Sequence, residues 1–156
     1  MLIKIITVGK TRKQPWQSAE QEFIKRIRHY SRLKEETVKD ASFTSLRNAD
    51  LVQKREAENI LATVSSRDFL IVLDKSGDQR SSRKFADLIQ KKMDGGVKNL
   101  TFVIGGPFGL SDEVLHKANV VLSLSKMTFL HEMAKVLLLE QIYRAFTILN
   151  GEKYHK

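Results

Sequence analysis

The sequence predicts an α/β protein with a mostly parallel sheet and flanking helices. Two observations predict it. Apolar, β-branched runs of strand length recur at 2–8, 69–74, 100–104 and 119–124, and segments with helical spacing of apolar residues fall between them.

Taken in order, LIKIITV (2–8) has the composition of a strand and runs into a Gly-Lys-Thr-Arg-Lys turn. Ser18 and Gln21 have the spacing of a capping box, and Phe23, Ile27, Tyr30 and Leu33 follow at helical intervals, with Lys25, Arg26, Arg28 and Arg32 mostly on the other face. ETVKDA (36–41) suggests a short strand, and Leu46, Leu51, Ile60, Leu61 and Val64 a second helix over 46–64. FLIVLD (69–74) has the continuous apolar pattern of a strand buried on both faces; a Gly-containing turn and a helix near 82–93 come next. LTFVI (100–104), the GGPFGL turn, a short helix from Ser111 and the strand NVVLSL (119–124) lead to a long helix from Thr128 to about Leu149. Its apolar residues cover more of the circumference than one core-facing stripe needs, so a second buried face is expected, most simply a two-fold subunit interface.

At 156 residues, 42% hydrophobic and 29% charged, the chain is expected to fold as one domain over 1–156. It has no cysteine, which excludes disulfides, thiolate metal sites and a cysteine nucleophile, and favours a cytoplasmic location. No segment has the length of a membrane span, and MLIKIITVGKTRK lacks the order of a secretory leader; the Asn99-Leu100-Thr101 acceptor pattern therefore carries little weight. The net charge of +9 is concentrated at the start, with nine Lys and Arg against two acids in residues 1–34. Such a basic end suits a polyanion such as RNA, or is simply a solvated helix face.

Several fragments imitate known chemistry without completing it. Ser123-Leu124-Ser125-Lys126 has the S-x-x-K spacing of serine acyl-enzymes but no companion motifs, and His131-Glu132 opens like H-E-x-x-H but meets Lys135 where the second histidine should be. GGPFG is neither a dinucleotide nor an NTP loop. Three loops survive, all following predicted parallel strands: Leu73–Gly77, Gly105–Gly109 and Ser123–Thr128. Open α/β sheets bind ligands at such places, although glycines that only turn the chain and hydroxyls that only cap would look the same.

FVIGGPFGL, LSLSKMTF, HEMAKVLLLEQIYRAF and the terminal GEKYHK resemble the signatures of the ribosomal RNA large-subunit methyltransferase H family, small members of the SPOUT class of S-adenosylmethionine enzymes. The likeness runs the length of the chain and departs at Leu130, where the family usually has proline. It implies a trefoil knot near the C-terminus, a homodimer, and transfer of a methyl group from S-adenosyl-L-methionine, without a metal, to N3 of a pseudouridine in 23S rRNA of the assembled ribosome. It also implies cofactor contacts at Leu73, Gly105, Leu124, Ser125, Lys126, Met127, Thr128 and Phe129. The alternatives are a same-class enzyme with another RNA target and a non-enzymatic RNA-binding module.

An imide N3 becomes a nucleophile only after losing its proton. His29 lies in the basic helix, His116 near a turn and His131 in a first helical turn; His155 remains as base or base-positioner, with Tyr154 to orient or stack on the uracil and Lys156 to contact phosphate or carbonyl. A 20-residue helix is about 30 Å long, whereas seven stretched residues reach about 25 Å. The tail is therefore expected to complete the partner's site in a dimer.

Overall fold

In the computed structural model of the chain, residues 1–41 and 48–155 are described, the side chain of His155 excepted. Five parallel strands form the sheet: β1 (Leu2–Val8), β2 (Arg32–Val38), β3 (Asp68–Gln79), β4 (Asn99–Ile104) and β5 (Val120–Ser123), in the order β2-β1-β4-β3-β5. The period of two in β1 sends Ile3 and Ile5 to one face and Ile6 and Val8 to the other, so the sheet divides two apolar clusters. Helices α1 (Gln14–Ile27), α3 (Ser82–Asp94) and α5 (His131–Leu149) cover the first face, and α2 (Ala49–Thr63) and α4 (Asp112–Lys117) the second.

The boundaries of five elements differ from the sequence reading. Helix α1 starts at Gln14 rather than at Ser18, because Pro15 in its first turn already has a helical φ; Ser18 lies inside the helix, accepting a 3.4 Å bond from the Gln14 amide. Leu33 belongs to β2, not to α1, and β2 spans 32–38 instead of 36–41. Helix α2 begins at Ala49 with Asn48 as its cap, and the predicted contribution of Leu46 lies outside the described residues. Strand β3 does not end in a turn at Asp74; it bulges and continues to Gln79. Helix α5 begins at His131, leaving Thr128–Leu130 in the preceding loop.

The acceptor-like Asn99 and Thr101 are used internally. Asn99 donates to Asp68 at 2.8 Å, and Thr101 is fully buried in β4.

Candidate active site

The sheet order places the surviving loops side by side. Leu73 of β3 pairs with Ile104 of β4 on one edge and with Leu122 of β5 on the other. Gly105 and the Ser123-Leu124 pair, one and two residues further on, thus flank Leu73 at the carboxyl ends of three adjacent strands.

Each loop is shaped by close contact. After Leu73 the β3 backbone loops out and returns, so that Asp78 pairs with the same Leu122. Asp74 Oδ1 accepts from the Ser76 N–H at 2.8 Å and its hydroxyl at 2.6 Å. Lys126 Nζ donates to the carbonyls of Lys75 (3.3 Å) and Gly77 (3.4 Å), tying the bulge to the loop after β5. Gly77 has no room for a side chain, because a methyl group built there would lie 2.6 Å from the backbone C and O of Val121. In the β5 loop, Ser123 Oγ donates to the Ser125 carbonyl at 2.9 Å, and the Met127 N–H donates to Ser125 Oγ at 3.0 Å. Met127 and Leu130 stand 75% and 61% exposed. The 106–109 turn is closed by the Gly109 N–H donating to Gly106 O at 3.0 Å, and Gln53 of α2 donates to the Phe108 carbonyl at 2.6 Å.

A cleft of about 380 Å³ opens between α3, α5 and the β5 loop, within the usual size of small-molecule sites. Leu122, Leu124, Phe129 and Leu137 supply apolar wall, and Arg80, Ser82 and Gln141 a polar end, where Ser82 Oγ donates to Gln141 Oε1 at 2.7 Å. Of the predicted cofactor residues, Leu124 and Phe129 line this cleft, and Ser125, Lys126, Met127 and Thr128 form the loop between them; Leu73, at the bulge of β3, and Gly105, just past the end of β4, are not part of its lining. Sequence reasoning missed Ser82, Leu137 and Gln141. Leu137 reads as one more core residue, and the amide of Gln141 in a long apolar helix was the only signal for the polar end.

The start of α5 is fixed electrostatically. Lys135 is 8% exposed, and its Nζ lies 2.7 Å from Glu20 of α1 and 2.9 Å from Glu35 of β2. Burial pulls its pKa down, but the two carboxylates outweigh that and leave it raised. Glu20 also accepts from the Thr11 hydroxyl. Glu132, which resembled part of a zinc motif, accepts from the Arg12 N–H at 2.8 Å. Among the described residues no cluster of three or more His, Asp or Glu side chains could hold a metal ion. A second, polar cleft of about 460 Å³ borders Lys135 on the α1 side, but Gln17 there is bonded to the Thr11 carbonyl and Thr11 to Glu20, so its walls serve one another.

The tail turns back on its own helix. A 3-10 turn, Lys153–His155, follows Gly151, whose φ of +68° suits glycine. Tyr154 packs edge-on to Tyr143 at 4.7 Å, lies beneath the Arg144 guanidinium at 4.9 Å, and donates to Glu140 at 3.3 Å. Burial foremost, with the charge of Glu140, raises its pKa. These partners lie roughly a quarter turn around α5 from Leu137 and Gln141, so the structure does not bring Tyr154 into the cleft of its own chain. The His155 side chain and Lys156, the other two predicted catalytic groups, lie outside the described residues.

On the basic helix, Lys25 and Arg28 are exposed, whereas Arg26 is paired with Glu22 at 2.6 Å and sits over the Tyr143 ring.

A family model described as predicted SPOUT methyltransferase matches residues 1–155. The chain is 43% identical over 155 residues to the ribosomal RNA large subunit methyltransferase H of Christiangramia forsetii, covering 99% of each chain. It is 45% identical over 156 residues to that of Trichlorobacter lovleyi, again covering 99% of each. Among solved structures, a probable methylase family protein from Haemophilus influenzae Rd KW20 superposes with a TM-score of 0.55 at 18% identity, covering 99% of this chain and 70% of the other. A probable methyltransferase from Bordetella pertussis Tohama I gives 0.55 at 13% identity, covering 92% and 95%. These two likenesses establish the fold.

Proposed function

The chain belongs to the SPOUT methyltransferase family, among its ribosomal RNA large-subunit methyltransferase H members, and on that premise we propose that it transfers a methyl group from S-adenosyl-L-methionine to N3 of a pseudouridine in 23S rRNA of the assembled ribosome. The observation that carries the reading is the β4-β3-β5 order, which sets Leu73, Gly105 and Leu124 abreast beside a partly apolar cleft.

The cleft suits that cofactor. Its apolar wall of Leu122, Leu124, Phe129 and Leu137 fits a flat base, its polar end fits an amino acid moiety, and the exposed backbone of 125–128 offers donors and acceptors. When bound, S-adenosyl-L-methionine supplies an electrophilic methyl group on a sulfonium. The chain's own part is to hold cofactor and base in near-attack geometry, to exclude water, and to take or hold the N3 proton. Ser125, Lys126, Met127 and Thr128 serve the first task through the backbone of a loop that the Lys126 clamp stiffens. In this reading His155 takes the proton or positions the base, Tyr154 stacks on the uracil, and Lys156 meets phosphate.

The tail acts on the partner's cofactor in a homodimer. Supporting this, the partners of Tyr154 lie about a quarter turn around α5 from the cleft, and Leu130, Met133 and Val136 stay at least partly exposed outside the two core clusters. Burying that stripe against a second α5 gives the interface its apolar centre. The trefoil knot implied by the family belongs to the same proposal, as does one domain over 1–156.

Incubation with methyl-labelled S-adenosylmethionine and ribosomes from cells lacking the enzyme, followed by mass-spectrometric mapping, tests the reaction. One methyl on N3 of one pseudouridine is expected. A methyl elsewhere in the RNA would leave the class standing and overturn the target. Failure to bind the cofactor, even with ribosomes present, would favour an RNA-binding module. For the composite site, a chain with Tyr154→Ala and His155→Ala mixed with a Gly105→Val chain should regain activity in heterodimers; no recovery refutes it.

A further inference from the structure

Glu56 sits on α2 with only 1% of its surface exposed, and none of the chemistry above uses it. Its Oε1 accepts from the Ala41 N–H at 3.2 Å, just beyond the exit of β2. Asp40 is near enough for its charge to act on this carboxyl, and Glu56 Oε2 has no hydrogen-bond partner among the described residues; a buried oxygen so placed is costly to leave charged, which favours the protonated acid. On its other side lies the loop after β4. A methyl group built on Gly106 would come within 3.0 Å of Glu56 Oε2 and 3.2 Å of Oε1, with Val8 Cγ1 also at 3.0 Å. Gly106 is thus flattened onto the carboxyl, one residue from Gly105. Asp40 in turn lies against Gly9, where an added methyl would be 3.5 Å from its Oδ2.

We propose that Glu56 is a positioning residue for the 105–109 loop, acting as a neutral carboxylic acid that forms the floor on which Gly106 rests, with Asp40 beside it. The proposal depends on the reading of Gly105 as a cofactor contact. Among the described residues Asp40 is the charged group facing Glu56 from the exit of β2; Val8 and the 106–109 turn bring none, and the α2 residues one turn away, Val52, Gln53, Asn59 and Ile60, are uncharged. Burial, opposed in part by the Ala41 N–H and reinforced by the charge of Asp40, raises the Glu56 pKa to about 7. Above that pH the floor becomes a buried anion beside the half-buried Asp40, the loop is released, and cofactor affinity falls.

The test compares wild type with Glu56→Gln, which keeps shape and a donor but cannot ionise. The carboxyl carbon of Glu56, followed by NMR, should titrate near neutrality; a midpoint in the ordinary carboxylate range would overturn the proposal. Calorimetry with S-adenosylmethionine from about pH 6 to about pH 8.5 should show wild-type affinity falling roughly fivefold or more while Glu56→Gln stays level. A parallel fall in both proteins would overturn it. Should neither protein bind the cofactor at any pH, the cofactor reading fails, and thermal melts then judge the floor alone. Relative to Glu56→Gln, wild type should lose stability between the unfolded value of 4.5 and the folded value of about 7. A constant difference across that window would refute the positioning role.

Discussion

Replacing Lys135 with methionine, which nearly preserves volume and removes only the charge, should destabilise the protein by about 3 kcal/mol, the lower end of what breaking one side of a buried ion pair costs. The lower end follows from the geometry. Glu20, with a side chain 5% exposed, would lose its cation at 2.7 Å but keep the Thr11 hydroxyl, while Glu35, 30% exposed, can turn to water. For a chain of this size each kcal/mol is worth about 2–4 °C, so the melting midpoint should fall by about 6–12 °C. The reasoning is sharper in the double variant. Adding Glu20→Gln removes the carboxylate that the first change stranded, and should return more than half of the loss. Thermal and urea melts of the two single variants and the double one complete the cycle. If Lys135→Met shifts the midpoint by less than about 2 °C, or if the double variant is no better than the sum of the singles, the ion pair does not hold α5 as described.

Gly77→Ala should cost about 3 kcal/mol, since its methyl would meet the β5 backbone rather than a movable side chain, and calorimetry should show at least a tenfold weaker cofactor affinity; an unchanged affinity would separate the bulge from the site. Tyr30→Phe keeps the ring stacked on Phe146 at 5.5 Å but removes the bonds to Glu152 at 2.7 and 2.8 Å, a loss of about 1–2 kcal/mol. Burial foremost, and then Glu152, raises the Tyr30 pKa to about 12. The stability it adds is therefore present below pH 10.0 and fades towards 12 in wild type, a fall that melts of the phenylalanine variant should lack. Lys25→Glu with Arg28→Glu should weaken ribosome binding and flatten its dependence on salt while leaving cofactor affinity alone. Arg26 should matter less, because Glu22 already pairs with it.

The parts that sequence revealed are those where one force dominates. FLIVLD and LTFVI are almost wholly apolar because both faces of β3 and β4 are covered, and once those strands are read, the loops at their carboxyl ends are read with them. Strand β2 was read only in part, over 36–41, because it is an edge: RLKEETV buries only Leu33 and Val38, and its extent comes from pairing with β1. The extension of β3 escaped for a different reason. DKSGDQ has turn composition, and only contact with β5, made possible by the missing Gly77 side chain, draws it back into the sheet. Glu56 lies in KREAEN, which looks like a solvated helix face; nothing local announces that α2 points it at Gly106 and Asp40. The conformation of the tail was not legible, since the fold-back of Tyr154 depends on Glu140, Tyr143 and Arg144, a turn or more upstream.

The strand order also sets a timetable. Strand β1 precedes the other four in the chain yet lies inside the sheet between β2 and β4, so its second edge stays unpaired until β4, about a hundred residues later, has been made. The inner faces of α1 and α3 wait longer still, because α5, which packs on both, follows all five strands. The cleft, whose walls include Leu137 and Gln141 of α5, is thus completed only once α5 has been made. A chain stalled before α5 would carry all five strands but leave the apolar face that α5 covers open, with one wall of the cleft missing.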